Sequence, residues 1–319
     1  MPIAAYRTFL GIAKQPAAGT PVAATDFITI TGDPKPVDVI TELEDKAWRG
    51  SAVMTYNKVQ GQRKSSLSID GNLDMTTIGY PLQGLLPDLV VTGAATPFSS
   101  VFATKNSGDT QSVPYTFSDF TGLETRQYSD AKYEELTIAF TGDGLVTIKS
   151  KVQCWASVIA GANPVPSFNA APPLAAYVGV ITIGGAVPLN VMSGEISIKR
   201  TIDVQQTIDG NQDPYRIWQG PITVTGKLDF VYESNLEFNR YLTNNQVPLD
   251  IKFTQGATSL QLHSTLTAFV TGAIARGKTY NELSTTFECL GTVADAGASA
   301  GYSPLKATLV NSKASGTYA

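Results

Sequence analysis

The stretch LSIDGNLDM (67–75) has a near double in ITVTGKLDF (222–230), beginning 155 residues further along the chain. Each alternates apolar and polar residues with period two, the pattern of a strand with one buried and one wet face. In the first, Leu67, Ile69, Gly71 and Leu73 point one way, and Ser66, Ser68, Asp70, Asn72 and Asp74 the other. In the second, Ile222, Val224, Leu228 and Phe230 share the apolar face with Gly226, and Thr223, Thr225, Lys227 and Asp229 form the polar face. A glycine inside a strand costs about 0.5–1 kcal/mol relative to alanine, so its recurrence predicts a bend, a bulge or a close backbone approach.

Further echoes keep the same order. FITITG (27–32) matches VITIGG (180–185), LTIAFTG (136–142) matches LTAFVTG (266–272), and VQCWASV (152–158) matches FECLGTV (287–293). Four ordered matches predict a duplicated unit. The first copy covers 1–159 with a long, loop-like insertion at 87–130, a Pro-rich linker covers 160–176, and the second copy covers 177–319. After each quoted strand the apolar spacing changes to three and four residues, in TTIGYPLQGLL (76–86) and ESNLEFNRYLTN (233–244), which predicts one short helix per copy. Leu260, Leu262, Leu266 and Val270 are expected on one side of a long strand. The arm 1–24 is expected to be loose, and so is the polar ending NSKASGTYA (311–319) unless a neighbouring subunit holds it. The fold class is all-β, a β-sandwich or ring-forming barrel with short flanking helices.

The 319 residues carry 43% hydrophobic and 16% charged side chains and a net charge of −4, a globular balance with no basic field to hold nucleic acid through its phosphates. No run approaches the 18 apolar residues of a membrane span, so a membrane partner is not expected. His263 is the single histidine, expected on the wet side of its strand, and Cys154 and Cys289 are expected as buried free thiols at matching places in the two copies. Asp70/Asn72/Asp74 and Asp209/Asn211/Asp213 mimic the start of a calcium loop but lack its glycine and closing glutamate. ELEDK (42–46) is expected as a solvated turn, and no glycine-rich phosphate loop is present. The residues therefore predict no enzyme, no metal and no cofactor.

The order of GTPVAATDFITITG, WRGSAVMTYNKVQGQRKSSLSIDGNLD, IGYPLQGLL, YEELTIAFTGDGLVTIKSKVQCW, GEISIKR, IWQGPITVTGKLDF and YSPLKATLVNS resembles the major tail tube proteins of long-tailed, non-contractile, siphovirus-like bacteriophages. The resemblance implies a virion structural protein, made in the host bacterial cytoplasm, whose strands join those of neighbours into stacked rings. These make a conduit for DNA ejection, built around a tape-measure protein and ended by tail-terminator and baseplate proteins. Duplication then implies a homotrimeric, pseudo-hexameric ring, with a homohexamer as the alternative. Four strands per copy give a barrel of 24 strands, roughly 48 Å across at the backbone with a channel near 35–40 Å. The resemblance assigns Ser66, Ser68, Asp70, Asn72, Asp74, Thr223, Thr225, Lys227 and Asp229 to the channel wall, with DNA as non-specific cargo. The length and irregularity of the insertion and of the arm 1–24 predict that they reach a neighbouring ring. The rival reading is a two-domain β-sandwich binding or adhesion module.

Overall fold

The computed structural model describes residues 5–277 and 279–319. In the first half lie strands β1 (Phe9–Lys14), β2 (Asp26–Ile28), β3 (Val37–Asp45) and β4 (Asn57–Asn72), then helix α1 (Gly79–Leu85). They are followed by β5 (Asp88–Thr92), β6 (Phe98–Ala103), β7 (Tyr115–Phe120), β8 (Thr125–Thr141), β9 (Thr147–Cys154) and β10 (Val158–Ile159). After an exposed connector come β11 (Gly179–Ile183), β12 (Val191–Gln205), β13 (Arg216–Val231) and helix α2 (Leu236–Leu242). The chain closes with β14 (Val247–Gln255), β15 (Thr258–Ala275), β16 (Glu282–Cys289) and β17 (Lys306–Asn311).

Eight strands form one continuous antiparallel sheet in the order β3-β4-β9-β8-β12-β13-β16-β15. A second layer covers its apolar face. On one side β2, β1, β7 and β10 pair around the first part of β8, and on the other β11, β14, β17, β6 and β5 build on the first part of β15. Both β8 and β15 are therefore long strands that start in the outer layer and finish in the eight-stranded sheet. Helix α1 packs on β8 and α2 on β15. The order hairpin, helix, hairpin recurs: β3-β4, α1, β8-β9 in the first half and β12-β13, α2, β15-β16 in the second. The buried apolar residues of both halves form one cluster.

Alternation produces the expected faces. Leu67, Ile69, Gly71, Val224, Leu228 and Phe230 are buried, while the polar residues between them are half-buried or exposed. The two glycines answer to close approach. A Cβ on Gly71 would lie 2.5 Å from the Thr29 carbonyl oxygen, and one on Gly226 would lie 2.3 Å from the Phe287 ring and 2.4 Å from the Glu195 carbonyl oxygen.

They are nevertheless not equivalent positions. Each hairpin carries a register shift, between Ile40 and Glu42 opposite Arg63/Gln60, and between Arg200 and Ile202 opposite Ile222/Gln219. These match Gln60 to Gln219 and Arg63 to Ile222, an offset of 159. The pairings Ser65↔Cys154 and Val224↔Cys289 agree with that frame. Gly226 thus stands at the level of Leu67, four residues from the level of Gly71. The two thiols are buried, and burial raises both pKa values, that of Cys289 to about 11.

Five local expectations change. The arm 1–24 contains β1, whose Leu10 and Ile12 are fully buried, and the insertion contains β5, β6 and β7, which pair within the chain. Residues 1–4 of that arm lie outside the described residues. The ending is not loose: Tyr318 is 1% exposed and its ring meets Tyr80 at 5.1 Å in the first half. On β15 the buried side switches between Ser264 and Thr267, where the register against β14 shifts (Leu249 opposite Ser264, Val247 opposite Thr267); Thr267 and Phe269 are buried and Val270 is exposed. ELEDK is no turn but the end of β3, where Glu42 and Glu44 pair with Lys58 across the hairpin.

Candidate functional site

The wet face of the eight-stranded sheet gathers most of the polar residues singled out from the sequence. Cross-strand register sets them in rows. One row runs Ser68, Lys151, Glu135, Lys199, Thr223. The next runs Asp70, Lys149, Thr137, Ser197, Thr225, Glu288, and the third Asn72, Thr147, Ala139, Glu195, Lys227, Thr286. Below them Ser193, Asp229 and Ser284 form the start of a fourth. Ser66 stands above Ser68, paired with Gln153. Asp74 departs from this set. It lies past the end of β4, where its carboxylate accepts from Thr76 N at 2.8 Å, Thr76 Oγ1 at 2.9 Å and Asn169 Nδ2 at 2.9 Å. Its work is to shape the turn into α1.

The face is mixed in charge. The sequence reading expected a Ser, Thr, Asn and acidic surface with Lys227 against the trend; the rows add Lys149, Lys151 and Lys199. Most of these cations are already engaged. Lys151 and Lys199 both reach Glu135, at 2.7 and 2.8 Å, and Lys227 reaches Asp229 at 3.0 Å. Burial pushes the Glu135 carboxyl up, but the bonds from Lys151 and Lys199 outweigh it and the net pKa is lowered. Asp229 behaves alike: burial raises its pKa, and bonds from Lys227, Ser284 and Ser193 bring it below the ordinary value. Both stay ionised at neutral pH. The middle of the face is concave, with a depression of about 530 Å³ lined by Glu135, Thr137, Ser197, Thr225, Lys227 and Glu288 among others.

The added residues had a sequence signal. In TIKSKVQC (147–154) and GEISIKR (194–200) polar residues alternate with apolar ones as clearly as in the quoted pair.

The sheet has two open edges among the described residues. β3 pairs only with β4, and beyond Thr267 β15 pairs only with β16. The β3-β4 hairpin projects from the body and carries exposed Val37, Val39, Ile40, Leu43 and Val59, with Trp48, Val53 and Met54 at its tip. A backbone edge with such side chains is a template for pairing with another chain.

Other candidate chemistry dissolves into structure. His263 sits in the outer layer with Nδ1 2.8 Å from Asp250 and Nε2 3.2 Å from Thr265 Oγ1. Asp213 holds Arg63 through two bonds of 2.7–2.8 Å, and Asp209 accepts from Asn211 N within its own turn. Among the described residues no three His, Cys, Asp or Glu side chains could hold a metal, and no helix is long and apolar enough to cross a membrane. The insertion is pinned by two buried cations: Lys132 donates to the Ser112 carbonyl and Arg200 to those of Thr110 and Gly220. Burial lowers the pKa of Lys132 to about 8 and that of Arg200 to about 10.

A layered β protein whose main sheet is polar on one face and open at both edges belongs to the class of self-assembling structural proteins. The family model described as phage tail tube protein matches residues 5–303, and the chain belongs to that family. It is a structural protein of the virion tail, where it assembles into a tube with other tail proteins. No curated protein matches the chain.

Proposed function

We propose that three copies of the chain close into a ring, that rings stack into the tail tube of a long-tailed, non-contractile phage, and that the wet face of the eight-stranded sheet lines the channel for DNA ejection. The observation that carries this reading is the eight-stranded sheet with two open edges, since three such sheets give the 24 strands of a barrel wide enough for a duplex. A hexamer of the same chain would double that number. The recurring hairpin, helix, hairpin order, with matched bulges, supports two copies of one unit, which makes the trimer a pseudo-hexamer.

The wall would carry Ser66, Ser68, Asp70, Asn72, Thr223, Thr225, Lys227 and Asp229, joined by Glu135, Lys149, Lys151 and Lys199. Cations held by carboxylates release few counterions to phosphate, so duplex DNA slides rather than sticks. Asp74 is left to its turn. Because the arm and the insertion fold onto their own chain, contact between rings falls to the β3-β4 hairpin tip. Tape-measure, terminator and baseplate proteins are the other partners, and assembly in the host cytoplasm precedes packaging into the virion tail.

Electron microscopy of the purified chain tests the proposal. Hollow rods with three chains per ring are expected, with Asp70 and Lys227 facing the lumen. Monomers at high concentration, or those two residues on the outer wall, would overturn it.

A further inference from the structure

The open edges have a template inside the chain. Where the two halves of the sheet meet, β8, the innermost first-half strand in the sheet order, pairs antiparallel with β12, the first long strand of the second half, with Glu135 opposite Lys199 and Thr137 opposite Ser197. The free edges are the corresponding strands in reverse. β3 corresponds to β12, because the bulge between Ile40 and Glu42 matches that between Arg200 and Ile202. β15 corresponds to β8, because the bulge between Phe269 and Thr271 matches that between Tyr133 and Glu135. Val39 therefore holds the place of Lys199, and Thr271 the place of Glu135.

We infer that β15 of one chain pairs antiparallel with β3 of a second copy, Thr271 opposite Val39 and Ala273 opposite Val37, so that the junction between chains repeats the junction between halves. This rests on the ring-forming reading above and adds to it the edges and the register. Direction agrees. In an antiparallel sheet of eight strands the first and last run oppositely, so β3 and β15 meet antiparallel when copies are placed side by side.

Side chains agree as well. Inside the chain the junction is held by the Lys199–Glu135 ion pair at 2.8 Å and the Thr137–Ser197 hydrogen bond at 3.1 Å. At the open edges the same places hold Val39, Val37, Thr271 and Ala273, which carry no charge and lie exposed in the single chain. Edge strands that must stay unpaired are usually guarded by charge; these positions are not. Pairing with a copy sets the valines beside Thr271 and Ala273 on the same face and satisfies both rows of backbone groups.

Cysteine cross-linking of the full chain tests the register. Directly opposed residues in an antiparallel pair lie within disulfide reach. Under mild oxidation Val39→Cys/Thr271→Cys should link chains into a closed three-chain species on a non-reducing gel, and Val37→Cys/Ala273→Cys should do the same should the first variant assemble poorly. Val39→Cys/Gly272→Cys places the thiols on opposite faces and should link about tenfold more slowly or not at all. Native Cys154 and Cys289 are buried and do not compete. Equal or faster linking of the slipped pair refutes the register. Rings seen by microscopy with neither matched pair linked refute the edge assignment while leaving the ring reading intact; absence of both rings and links overturns both.

Discussion

Tyr318 is the sharpest test of how the two halves are held together. Its ring is buried beneath α1 against Tyr80 and Phe102, its hydroxyl donates to the Thr76 carbonyl at 2.7 Å, and the hydroxyl accepts from Asn311 Nδ2 at 2.8 Å. Burying a tyrosine removes about 200 Å² from water, worth about 5 kcal/mol as an upper bound. A compact unfolded chain lowers this to about 3–4 kcal/mol. Tyr318→Ala should therefore destabilise by about 4 kcal/mol once the orphaned Thr76 and Asn311 groups are included. Tyr318→Phe, which loses only the hydroxyl, should cost about 1 kcal/mol. Gly79 supplies an internal control, because a Cβ there would lie 2.3 Å from the Tyr318 ring. Gly79→Ala should be strongly destabilising alone and close to neutral in the Tyr318→Ala background, a coupling of about 2 kcal/mol. Urea unfolding of the unassembled chain gives these values, provided the slope is unchanged. If Tyr318→Ala costs under about 1 kcal/mol, or the two substitutions simply add, the tail is not the strap described here.

Two further perturbations follow from the interior. Gly226→Ala should destabilise by about 2 kcal/mol or more, since the new methyl meets both the Phe287 ring and the Glu195 carbonyl; urea midpoints within about 0.3 kcal/mol of the parent would contradict the contact. Burial, aided by Asp33, raises the Asp119 pKa to about 6, above its unfolded value of 3.8. The folded state then holds the proton more tightly, so this group's contribution is complete below pH 4 and is lost as pH rises through 6. Asp119→Asn should gain about 1–2 kcal/mol at pH 7.5 and nothing at pH 3.5, a difference that stability curves at the two pH values would reveal.

Local spacing alone sets the faces of strands such as β4 and β13 and the helices that follow them, because period-two and helical spacing are local properties. The helix expected over 76–86 forms as Gly79–Leu85, and that over 233–244 as Leu236–Leu242. Register was not local. Sliding a strand by four residues leaves every apolar side chain on the same face, so the doubled LSIDGNLDM motif could be read four residues out of frame; only the paired bulges fixed it. Distant pairing also decided the segments that looked irregular. β6 forms because β17, some two hundred residues later, offers an edge, and the polar tail is anchored because one tyrosine finds a slot beside a glycine. Likewise the sequence proposed which residues are wet, but only the tertiary structure set eight strands side by side, placed Glu135 between two lysines and left two edges open.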